Sequence, residues 1–581
     1  MNIQEMDLMN TLAEGSYKTQ RELSMKTGYS LGTVNASVRS LIEDKYLNKE
    51  FQLTEKAKGL FEAHKPKRAI ILAAGVGMRM VPINVEVSKG MLEVKGEPLV
   101  ERIIKHLQEV GIEDISIVVG FMKEQYEYLI DEYQVKLVYN GEYALKNNLY
   151  SIAKVIDKID NAYIIPCDIW CENNPFHTEE LYPWYMVSSE KNPESVVRIN
   201  RKRELKLTDG KEDGNQMLGI AYVCGEAGKI LKDNIQNMLD HRKNHHCFWE
   251  DAAFTNNKML FWAKEVAAED VKEINTLEEL RELDKSSNQL DTEIFDIISS
   301  TLKCEKEEIV EIEALKKGMT NRSFRFRCRD KRYIMRIPGE GTGKMINRQQ
   351  EYAVYQVVGE EGICDPICYM NPENGYKITE FLESARVCDA ENLEDVKACM
   401  SYLNSVHDKN LEVPHVFDIF DQIEKYESYW QGEKSIYRDY LKTKEKIYEL
   451  KAYVDRQEKK WALTHIDAVP DNFLFVNDRI YLIDWEYSGM QDPHVDVAMF
   501  AIYSMYEREQ IETLIDLYFE QECPEETRTK IYCYIAMCGL LWSNWCEFKR
   551  ICGVEFGEYS LKQYRYAKEY YKIAKERINN D

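Results

Sequence analysis

Residues 72–80 read Leu-Ala-Ala-Gly-Val-Gly-Met-Arg-Met, and they continue an apolar stretch from Arg68 to Leu72 that is predicted to be a β-strand. A glycine-rich loop at the end of a strand lets backbone N–H groups approach a phosphate without a side-chain clash. A tight turn that merely requires glycine is the alternative interpretation. The residues expected to bind a triphosphate here are Leu72, Ala73, Ala74, Gly75 and Gly77, with Arg79 and Lys89 to neutralise its charge.

The segment around this loop alternates between two kinds of periodicity. Leu99 to Val110 has the spacing of an amphipathic helix, and residues 115–119 and 162–166 are apolar enough for buried strands. Alternating strands and helices predict an α/β domain with a doubly wound, parallel sheet over residues 67–285. Asp168 follows the strand at 162–166, and ligands collect at this end of the strands in open α/β sheets.

The loop, Lys89 and the run Gly-Glu-Pro-Leu-Val at 96–100 together resemble the nucleotidyltransferase family that activates sugar phosphates and phosphocholine. The resemblance implies that Mg²⁺ binds Asp168 and Asn275. It also implies that Arg79 and Lys89 stabilise the charge of the reacting phosphates. No general base is needed, because the nucleophile is already an anionic phosphate.

Two positions depart from the pattern of that family. Ser88 stands where members usually have proline, and Asn275, in Glu-Ile-Asn at 273–275, stands where many have aspartate. Asparagine keeps an oxygen ligand but loses a charge. An alternative role for Asn275 is to cap the helix predicted to begin at Thr276.

Two further stretches resemble one branch of that family, the CTP:phosphocholine cytidylyltransferases: Cys-Phe-Trp-Glu-Asp at 247–251 and Asn-Asn-Leu-Tyr-Ser at 147–151. A trimethylammonium group cannot donate hydrogen bonds, so aromatic faces and nearby carboxylates bind it. The resemblance therefore implies CTP as a co-substrate and an aromatic cage for choline. Packing in the core is the alternative for each tryptophan. The candidate cage residues are Trp170, Trp249, Glu250 and Asp251.

A second signature, of a different kind, lies near the end of the chain. Residues 465–472 read His-Ile-Asp-Ala-Val-Pro-Asp-Asn, and Ile-Asp-Trp-Glu follows at 483–486 after an apolar strand. Phosphoryl transfer requires an acid that receives or orients the hydroxyl proton, and oxygen ligands for Mg²⁺. Asp467 fits the first role, and Asn472 and Asp484 fit the second.

The segment from 290 to 581 is rich in strands first and in helices afterwards, which predicts an α+β, two-lobed fold of the protein-kinase type. With its catalytic motif it resembles the choline and aminoglycoside kinases. The resemblance implies that Asp496 braces the catalytic loop and that residues 318–324 form a hairpin over the phosphates of ATP. The residues it assigns to ATP are Asn321 and Ser323 in the hairpin, Arg336 on the third strand, its helix partner Glu351, and Glu380 in the hinge that meets adenine.

A pair of tryptophans suggests the phosphoryl acceptor. Trp542 and Trp545 are three residues apart, so they share one face of a helix. Indole faces beside an acidic site suit a quaternary ammonium ion, and this pair resembles one that bacterial choline kinases carry late in the chain. Glu486 and Tyr487 are the candidates that complete the cage. An aromatic stripe in the core is the alternative.

Residues 1–65 have helical periodicity from Leu31 to Glu43 after a Thr-Gly-Tyr-Ser turn, followed by two short stretches that suit a β-hairpin. The segment resembles a winged helix-turn-helix domain, with residues 30–44 as its recognition helix. DNA is one partner that this implies. Protein contact is the alternative, because basic and acidic residues are balanced here, whereas a DNA binder usually shows a basic face.

The composition bounds the other partners. A net charge of −24 opposes general binding to nucleic acid or anionic membranes. No apolar run approaches the roughly 20 residues of a membrane helix, and 15 scattered cysteines without a CxxC pair suit reduced thiols. We therefore expect a cytoplasmic protein with no membrane partner. A homodimer is compatible with the sequence, which leaves the oligomeric state open.

Together the two signatures predict a bifunctional enzyme that phosphorylates choline with ATP and couples phosphocholine to CTP. The products would be CDP-choline and pyrophosphate, used for surface decoration or lipid synthesis in bacteria. Ethanolamine, an aminophosphonate and a sugar alcohol are alternative substrates. A transcriptional regulator with enzyme-like sensor domains is the alternative from another class, and an enzyme that also regulates its own pathway combines the two.

Overall fold

The computed structural model describes residues 1–581 except 194, 209–212, 316–320, 340–344, 431, 521–522, 552–555 and 581. For residues 242, 288, 321 and 322 it describes the backbone alone. The chain divides into two units, Met1–Ile294 and Phe295–Asp581. Within the described residues, no helix is long and apolar enough to cross a membrane.

The N-terminal segment is helical. Its helices are α1 (Ile3–Glu14), α2 (Gln20–Thr27), α3 (Leu31–Glu43) and α4 (Glu55–His64). The side chains of Asn2, Thr19, Ser30 and Thr54 each accept a backbone N–H in the first turn of the helix that follows, which satisfies a donor that helix geometry leaves free. The helix predicted from Leu31 to Glu43 is confirmed. The predicted hairpin is reduced to an isolated bridge between Leu47 and Leu53.

The rest of the first unit alternates strands and helices. Its elements are β1 (Arg68–Ala73), β2 (Glu93–Val94), β3 (Glu97–Pro98), α5 (Leu99–Glu109), β4 (Asp114–Val119), α6 (Leu129–Tyr133), β5 (Lys136–Tyr139), α7 (Asn148–Ala153), β6 (Ala162–Pro166), β7 (Ile169–Cys171), β8 (Trp184–Asn192), β9 (Val197–Ile199), β10 (Glu204–Leu207), β11 (Gly214–Val223), α8 (Gly225–Leu239), β12 (Phe254–Thr255), β13 (Lys258–Val266), β14 (Val271–Glu273) and α9 (Leu277–Leu283).

One large sheet organises this unit. Among the described residues its strand order is β5-β4-β1-β6-β11-β8-β13-β10-β9, with β12 paired to β13. The neighbours β5, β4, β1 and β6 are parallel, as an α/β sheet requires, whereas β11 runs antiparallel to both β6 and β8. Leu72 at the end of β1 pairs with Pro166 at the end of β6. This register places the glycine loop and Asp168 at the same edge of the sheet.

The N-terminal helices and the sheet share one core. Leu8 and Met9 of α1 and Val38 of α3 belong to the same buried cluster as Tyr163 and Trp184 of the sheet. Burial of these side chains on both sides of the junction stabilises the contact. Residues 1–65 are therefore packed against the α/β part of the first unit.

The second unit has strands first and helices afterwards. The elements from the division onward are α10 (Glu293–Leu302), β15 (Ile309–Ala314), β16 (Asn321–Cys328), β17 (Lys331–Pro338), α11 (Arg348–Glu360), β18 (Ile367–Met370), β19 (Lys377–Glu380), β20 (Arg386–Val387), α12 (Leu393–His407), α13 (Ile419–Ser428), α14 (Tyr440–Val454), β21 (Ala462–Thr464), β22 (Phe473–Val476), β23 (Arg479–Leu482), β24 (Gly489–Gln491), α15 (His494–Tyr503), α16 (Arg508–Phe519), α17 (Glu525–Ile551) and α18 (Glu558–Asn580).

The strands and helices of this unit form two lobes. In the described residues β15-β16-β17-β19-β18 make one antiparallel sheet, and α12 to α18 surround the main hydrophobic core. The short hairpin of β22 and β23 carries the segment between Asn472 and Asp484. The predicted strand-first, helix-later layout is confirmed.

Candidate active sites

The glycine loop and Lys89 lie against each other in the first unit. Gly77 has a φ of +65°, in the left-handed region that favours glycine, and a Cβ there would lie 3.5 Å from Cβ of Lys89. A Cβ at Gly75 would meet no atom within 4 Å, so the space beside the loop is open. At Gly90 a Cβ would lie 2.8 Å from the Tyr126 hydroxyl. Glycine at 90 thus lets the lysine segment approach Tyr126 closely.

Side chains from three distant parts of the first unit meet beside this loop. Lys89 Nζ contacts the carboxylate of Asp168 and donates to Asn275 Oδ1 at 2.7 Å. Arg79 donates to the same oxygen at 3.0 Å. The predicted capping role of Asn275 is wrong, because Thr276 accepts the Glu279 N–H and caps α9. The four predicted residues are therefore neighbours, and the metal and phosphate roles assigned to them stay predictions.

The oxygens at this cluster fit a magnesium ion. Asp168 Oδ1 is buried and has no hydrogen-bond partner, so it is available as an acceptor. The described residues contain no group of three or more His, Cys, Asp or Glu side chains that could hold a metal. Magnesium commonly binds one or two carboxylates together with substrate phosphates and water, and Asp168 with Asn275 matches that pattern.

A cavity of about 590 Å³ extends from this cluster. Its polar lining includes Arg79, Lys89, Asp168, Glu250, Asp251, Glu273 and Asn275, and its aromatic lining includes Tyr185, Phe248 and Phe254. Charged groups at one end and aromatic rings beside carboxylates suit a ligand that joins a phosphate to a cation.

Neither predicted cage tryptophan lines this cavity. Trp249 is 1% exposed and packs in the core, with its ring centroid 6.0 Å from that of Tyr185. The guanidinium of Arg102 covers the Trp170 ring at 4.0 Å, and the Trp170 indole N–H donates to Glu172. Both cage assignments are wrong, because protein groups already occupy the faces of these rings.

The aromatic side chains that line the cavity are Tyr185, Phe248 and Phe254. Phe248 is 53% exposed although it adjoins the buried Trp249. Its backbone N–H donates to Asp251 Oδ2 at 2.7 Å. This hydrogen bond stabilises a turn in which the Trp249 ring is buried and the Phe248 ring is exposed. The sequence pointed to Trp249, whereas its neighbour Phe248 is the ring that lines the cavity.

Glu250 is the buried acid of this cavity. Its Oε1 accepts a hydrogen bond from the Tyr185 hydroxyl at 3.2 Å, and its Oε2 has no partner. Burial raises the pKa of Glu250 to about 7, since desolvation disfavours the charged form. A cation in the cavity would oppose this effect.

In the second unit, a buried aspartate holds the catalytic loop. Asp496 accepts the backbone N–H of His465 at 2.9 Å and that of Ile466 at 2.7 Å. His407 Nε2 lies 2.9 Å from the same carboxylate. Ile466 has a φ of +71°, a strained conformation for a β-branched residue, which these hydrogen bonds help to maintain. The bracing contact implied for Asp496 is present.

The predicted catalytic acid and metal ligands converge below this loop. Asn472 Nδ2 donates to the Asp467 backbone oxygen at 2.8 Å and lies 3.3 Å from its carboxylate. Burial and the nearby charge of Asp484 raise the pKa of Asp467 to about 7. An amide oxygen and a carboxylate on adjacent segments are suitable magnesium ligands. A metal at Asn472 and Asp484 is compatible with the arrangement.

The predicted nucleotide-binding residues lie in the strand-rich lobe. Arg336 and Glu351 form a buried ion pair at 2.5 Å, and Ser323 lies opposite Arg336 in the β16–β17 ladder. The Glu380 carboxylate accepts from Lys331 at 2.8 Å, so its side chain is paired within the protein. Of the predicted phosphate hairpin, residues 318–320 and the side chain of Asn321 lie outside the described residues.

Trp542 and Trp545 line a cavity of about 540 Å³ together with Asp467 and Asp484. Their rings meet edge to face at 5.4 Å, and the Tyr487 ring lies edge-on to Trp542 at 5.9 Å. The two tryptophans thus border this cavity as well as packing in the hydrophobic core. The cavity also contains residues that the sequence did not single out: Met499, Tyr503, Met505, Phe556 and Tyr559.

Glu486 faces the same cavity. Burial and the charge of Asp484 raise the pKa of Glu486. Burial therefore disfavours the charged form of this carboxyl, and an organic cation bound beside it would favour the ionised form.

An α/β sheet with a glycine loop and a Lys–Asp–Asn cluster is typical of nucleotidyltransferases, and a two-lobed unit with an aspartate-braced loop is typical of kinases. Residues 69–285 match the MobA-like NTP transferase domain, and residues 312–537 match choline/ethanolamine kinase. One family model thus matches within each unit. The chain is a bifunctional enzyme in which a nucleotidyltransferase is fused to a choline/ethanolamine kinase-type domain.

Three similar proteins cover one unit each. Choline-phosphate cytidylyltransferase of Streptococcus pneumoniae (strain ATCC BAA-255 / R6) is 28% identical over 222 residues, 38% of this chain and 97% of that protein. The 2-aminoethylphosphonate cytidylyltransferase of Lancefieldella rimae is 29% identical over 224 residues, 37% of this chain and 91% of that protein. The crystal structure of choline kinase LicA from Streptococcus pneumoniae shares 30% identity over 48% of this chain and 98% of that chain, with a TM-score of 0.43.

Proposed function

We propose that the second unit transfers the γ-phosphoryl group of ATP to the hydroxyl of choline, and that the first unit couples the resulting phosphocholine to CTP. The first step gives phosphocholine and ADP. The second gives CDP-choline and pyrophosphate. The observation that carries the proposal is the cavity in which Trp542, Trp545 and Tyr487 surround the same space as the acid Asp467.

The acceptor cavity of the kinase favours a quaternary ammonium ion. Such an ion cannot donate hydrogen bonds, so its recognition depends on ring faces and on nearby negative charge. The rings of Trp542, Trp545 and Tyr487 provide the faces, and the Glu486 carboxyl provides the acidic group. A primary ammonium would instead need hydrogen-bond acceptors, which ring faces do not provide.

Within this cavity Asp467 would accept the proton of the choline hydroxyl as the oxygen attacks the γ-phosphorus. Its raised pKa suits a base that works near neutral pH. Arg336, fixed by Glu351, would hold the phosphates of ATP. Asn472 and Asp484 would bind Mg²⁺ here, as Asp168 and Asn275 would in the first unit, and the bound ion would neutralise charge on the phosphate oxygens.

In the first unit a phosphate oxygen of phosphocholine would attack the α-phosphorus of CTP while pyrophosphate leaves. Lys89 and Arg79 lie where they can stabilise the charge on the phosphates. The choline group would lie among Phe248, Tyr185 and Glu250 at the other end of the cavity. The similarity to a choline-phosphate cytidylyltransferase supports this assignment. Both steps would take place in the cytoplasm, where ATP and CTP are available.

One rival substrate has specific support. The similarity to a 2-aminoethylphosphonate cytidylyltransferase is comparable in identity and coverage. A primary amine would pair with Glu250 and Asp251 rather than with the rings. Supplying the protein separately with phosphocholine, phosphoethanolamine and 2-aminoethylphosphonate, with CTP, and measuring pyrophosphate release discriminates between them. Faster turnover of 2-aminoethylphosphonate than of phosphocholine would refute the choline assignment.

A further inference from the structure

The β9–β10 hairpin reaches from the nucleotidyltransferase cavity to the N-terminal helices. Val196 and Leu207 at its open end line the cavity, and both are exposed, at 57% and 39%. Thr208 N–H donates to the Val196 oxygen at 2.7 Å and closes this end. Arg203 lies at the opposite end, in the turn between the strands. The open end of the hairpin thus forms one wall of the cavity, whereas the turn that contains Arg203 does not line it.

Arg203 has a conformation that requires support. Its φ is +60°, which is unfavourable for a residue with a side chain. Its backbone oxygen accepts the Ala263 N–H at 2.8 Å, and its own N–H donates to the Asn200 oxygen at 2.9 Å. Backbone strain of this kind persists where surrounding contacts fix it, and it is often associated with function.

The Arg203 side chain donates to the Ala263 oxygen at 3.3 Å and also contacts the N-terminal segment. Asp7 of α1 accepts a hydrogen bond from Arg203 Nη1 at 2.6 Å and from the Tyr182 hydroxyl at 2.5 Å. The hydroxyl of Tyr29 donates to the same carboxylate, and Tyr29 precedes Ser30, the cap of α3. One carboxylate therefore links α1, the start of α3 and the hairpin.

The hairpin is at the edge of the sheet, which explains why a distant contact can set its position. β9 is the last strand and pairs with β10, and the register between β10 and β13 is irregular. An edge pair has a neighbour on one side only, so its orientation is less constrained than that of a central strand. Val197 and Leu205 are buried and hold the middle of the hairpin. In the turn, Asn200 Oδ1 accepts the N–H groups of Lys202 and Glu204, and the Arg203 side chain makes the contact with the N-terminal segment.

We infer that Arg203 is a positioning residue for nucleotidyl transfer, and that the N-terminal segment acts through Asp7 to hold the β9–β10 wall in place over the substrate. The inference rests on the proposed nucleotidyl transfer. Val196 and Leu207 touch the substrate space, whereas Arg203 and Asp7 do not. Loss of the pair changes the affinity for substrate rather than the chemistry at Lys89.

The test uses the full chain and four variants: Asp7→Ala, Arg203→Ala, Arg203→Lys and the double variant Asp7→Ala/Arg203→Ala. Pyrophosphate release is measured with CTP and whichever acceptor the wild type turns over fastest. We expect each alanine variant to raise KM about two- to fivefold, the range for a partly exposed ion pair, with kcat little changed. The double variant should be no worse than either single variant, and Arg203→Lys should recover part of the effect.

Two controls separate positioning from instability. Lys202→Ala changes an exposed basic neighbour in the same turn and should leave KM unchanged. ATP consumption by the second unit should be the same in all variants. Unchanged KM in the alanine variants, or additive effects in the double variant, would overturn the inference. Failure of the wild type to use phosphocholine would instead refute the proposed substrate. It would not affect the test of Arg203, because the variants are compared on the acceptor that the wild type turns over fastest.

Discussion

Arg336 Nη1 lies 2.5 Å from Glu351 Oε1, and both side chains are almost completely buried. Arg348 donates to the other oxygen of Glu351 at 2.8 Å. One helix carboxylate thus pairs with two buried guanidinium groups, and the strand arginine takes the place of the lysine common in protein kinases. This pair fixes the cation that is proposed to hold the phosphates of ATP.

Replacing Glu351 by alanine should therefore impair phosphorylation strongly. Breaking a buried ion pair by removing one partner costs about 3–5 kcal/mol, because the remaining charges are left unpaired. We expect the KM for ATP to rise and kcat to fall, each measured by ADP formation. Glu360→Ala, at an exposed position of the same helix, is the matched control and should behave like the wild type. Equal activity of the two variants would contradict the assigned role.

The two units should lose their activities separately. Asp467→Asn removes the proposed base and should lower phosphorylation by at least about 100-fold, while CTP is still consumed when phosphocholine is added. Asp168→Asn should have the reverse effect. Asp478→Asn and Asp157→Asn change exposed aspartates in the same units and serve as controls. Loss of both activities in either active-site variant, with the fold intact, would refute two independent sites.

Phe248 and Trp249 should respond differently to truncation. Phe248→Ala removes an exposed ring from the cavity, so we expect a higher KM for phosphocholine and little change in stability. Trp249→Ala empties a core position and should lower the free energy of unfolding by about 3–5 kcal/mol. Denaturant titration and steady-state kinetics on both variants check this. The opposite pattern would restore Trp249 as the cage residue.

The titration of Glu250 predicts a pH dependence of binding. Its pKa of about 7 lies above the ordinary value, so the carboxyl loses its proton between pH 6 and pH 8. A cationic acceptor prefers the ionised form, and its affinity should therefore rise over this interval. Glu250→Gln cannot ionise and should show only the change that comes from the phosphate of the ligand. Calorimetric titration of phosphocholine at pH 6, 7 and 8 measures the difference, and parallel pH profiles would contradict the role of Glu250.

The same shift affects stability with a defined sign. Because the folded protein binds this proton more tightly than the unfolded chain, the contribution of Glu250 favours the folded state at low pH. That contribution is lost as the pH rises towards and through about 7. The wild type should therefore lose stability relative to Glu250→Gln over this range, which thermal unfolding at several pH values would detect.

Motifs with fixed spacing could be predicted from the sequence, because their chemistry is built on contiguous backbone. The glycine loop with Gly77, and the catalytic loop with Asp467 and Asn472, are of this kind. The position of Asp168 could be predicted for a related reason, since a residue just after a buried strand lies at the ligand-binding edge of the sheet.

Features that depend on packing between distant segments could not be predicted in this way. Whether Phe248 or Trp249 faces the cavity depends on how a short turn packs against Tyr185. The contact between Asp7 and Arg203 joins residues 196 positions apart. Neither residue lies in a sequence motif that would predict the contact. DNA binding by residues 1–65 and a homodimer stay predictions.

The central claim is that one chain converts choline to CDP-choline. Incubation of the purified protein with methyl-labelled choline, ATP, CTP and Mg²⁺, followed by chromatography of the labelled products, tests it most directly. We expect label in phosphocholine when CTP is omitted and in CDP-choline when CTP is present. Label that stays in choline, under conditions where the protein phosphorylates ethanolamine, would contradict the claim.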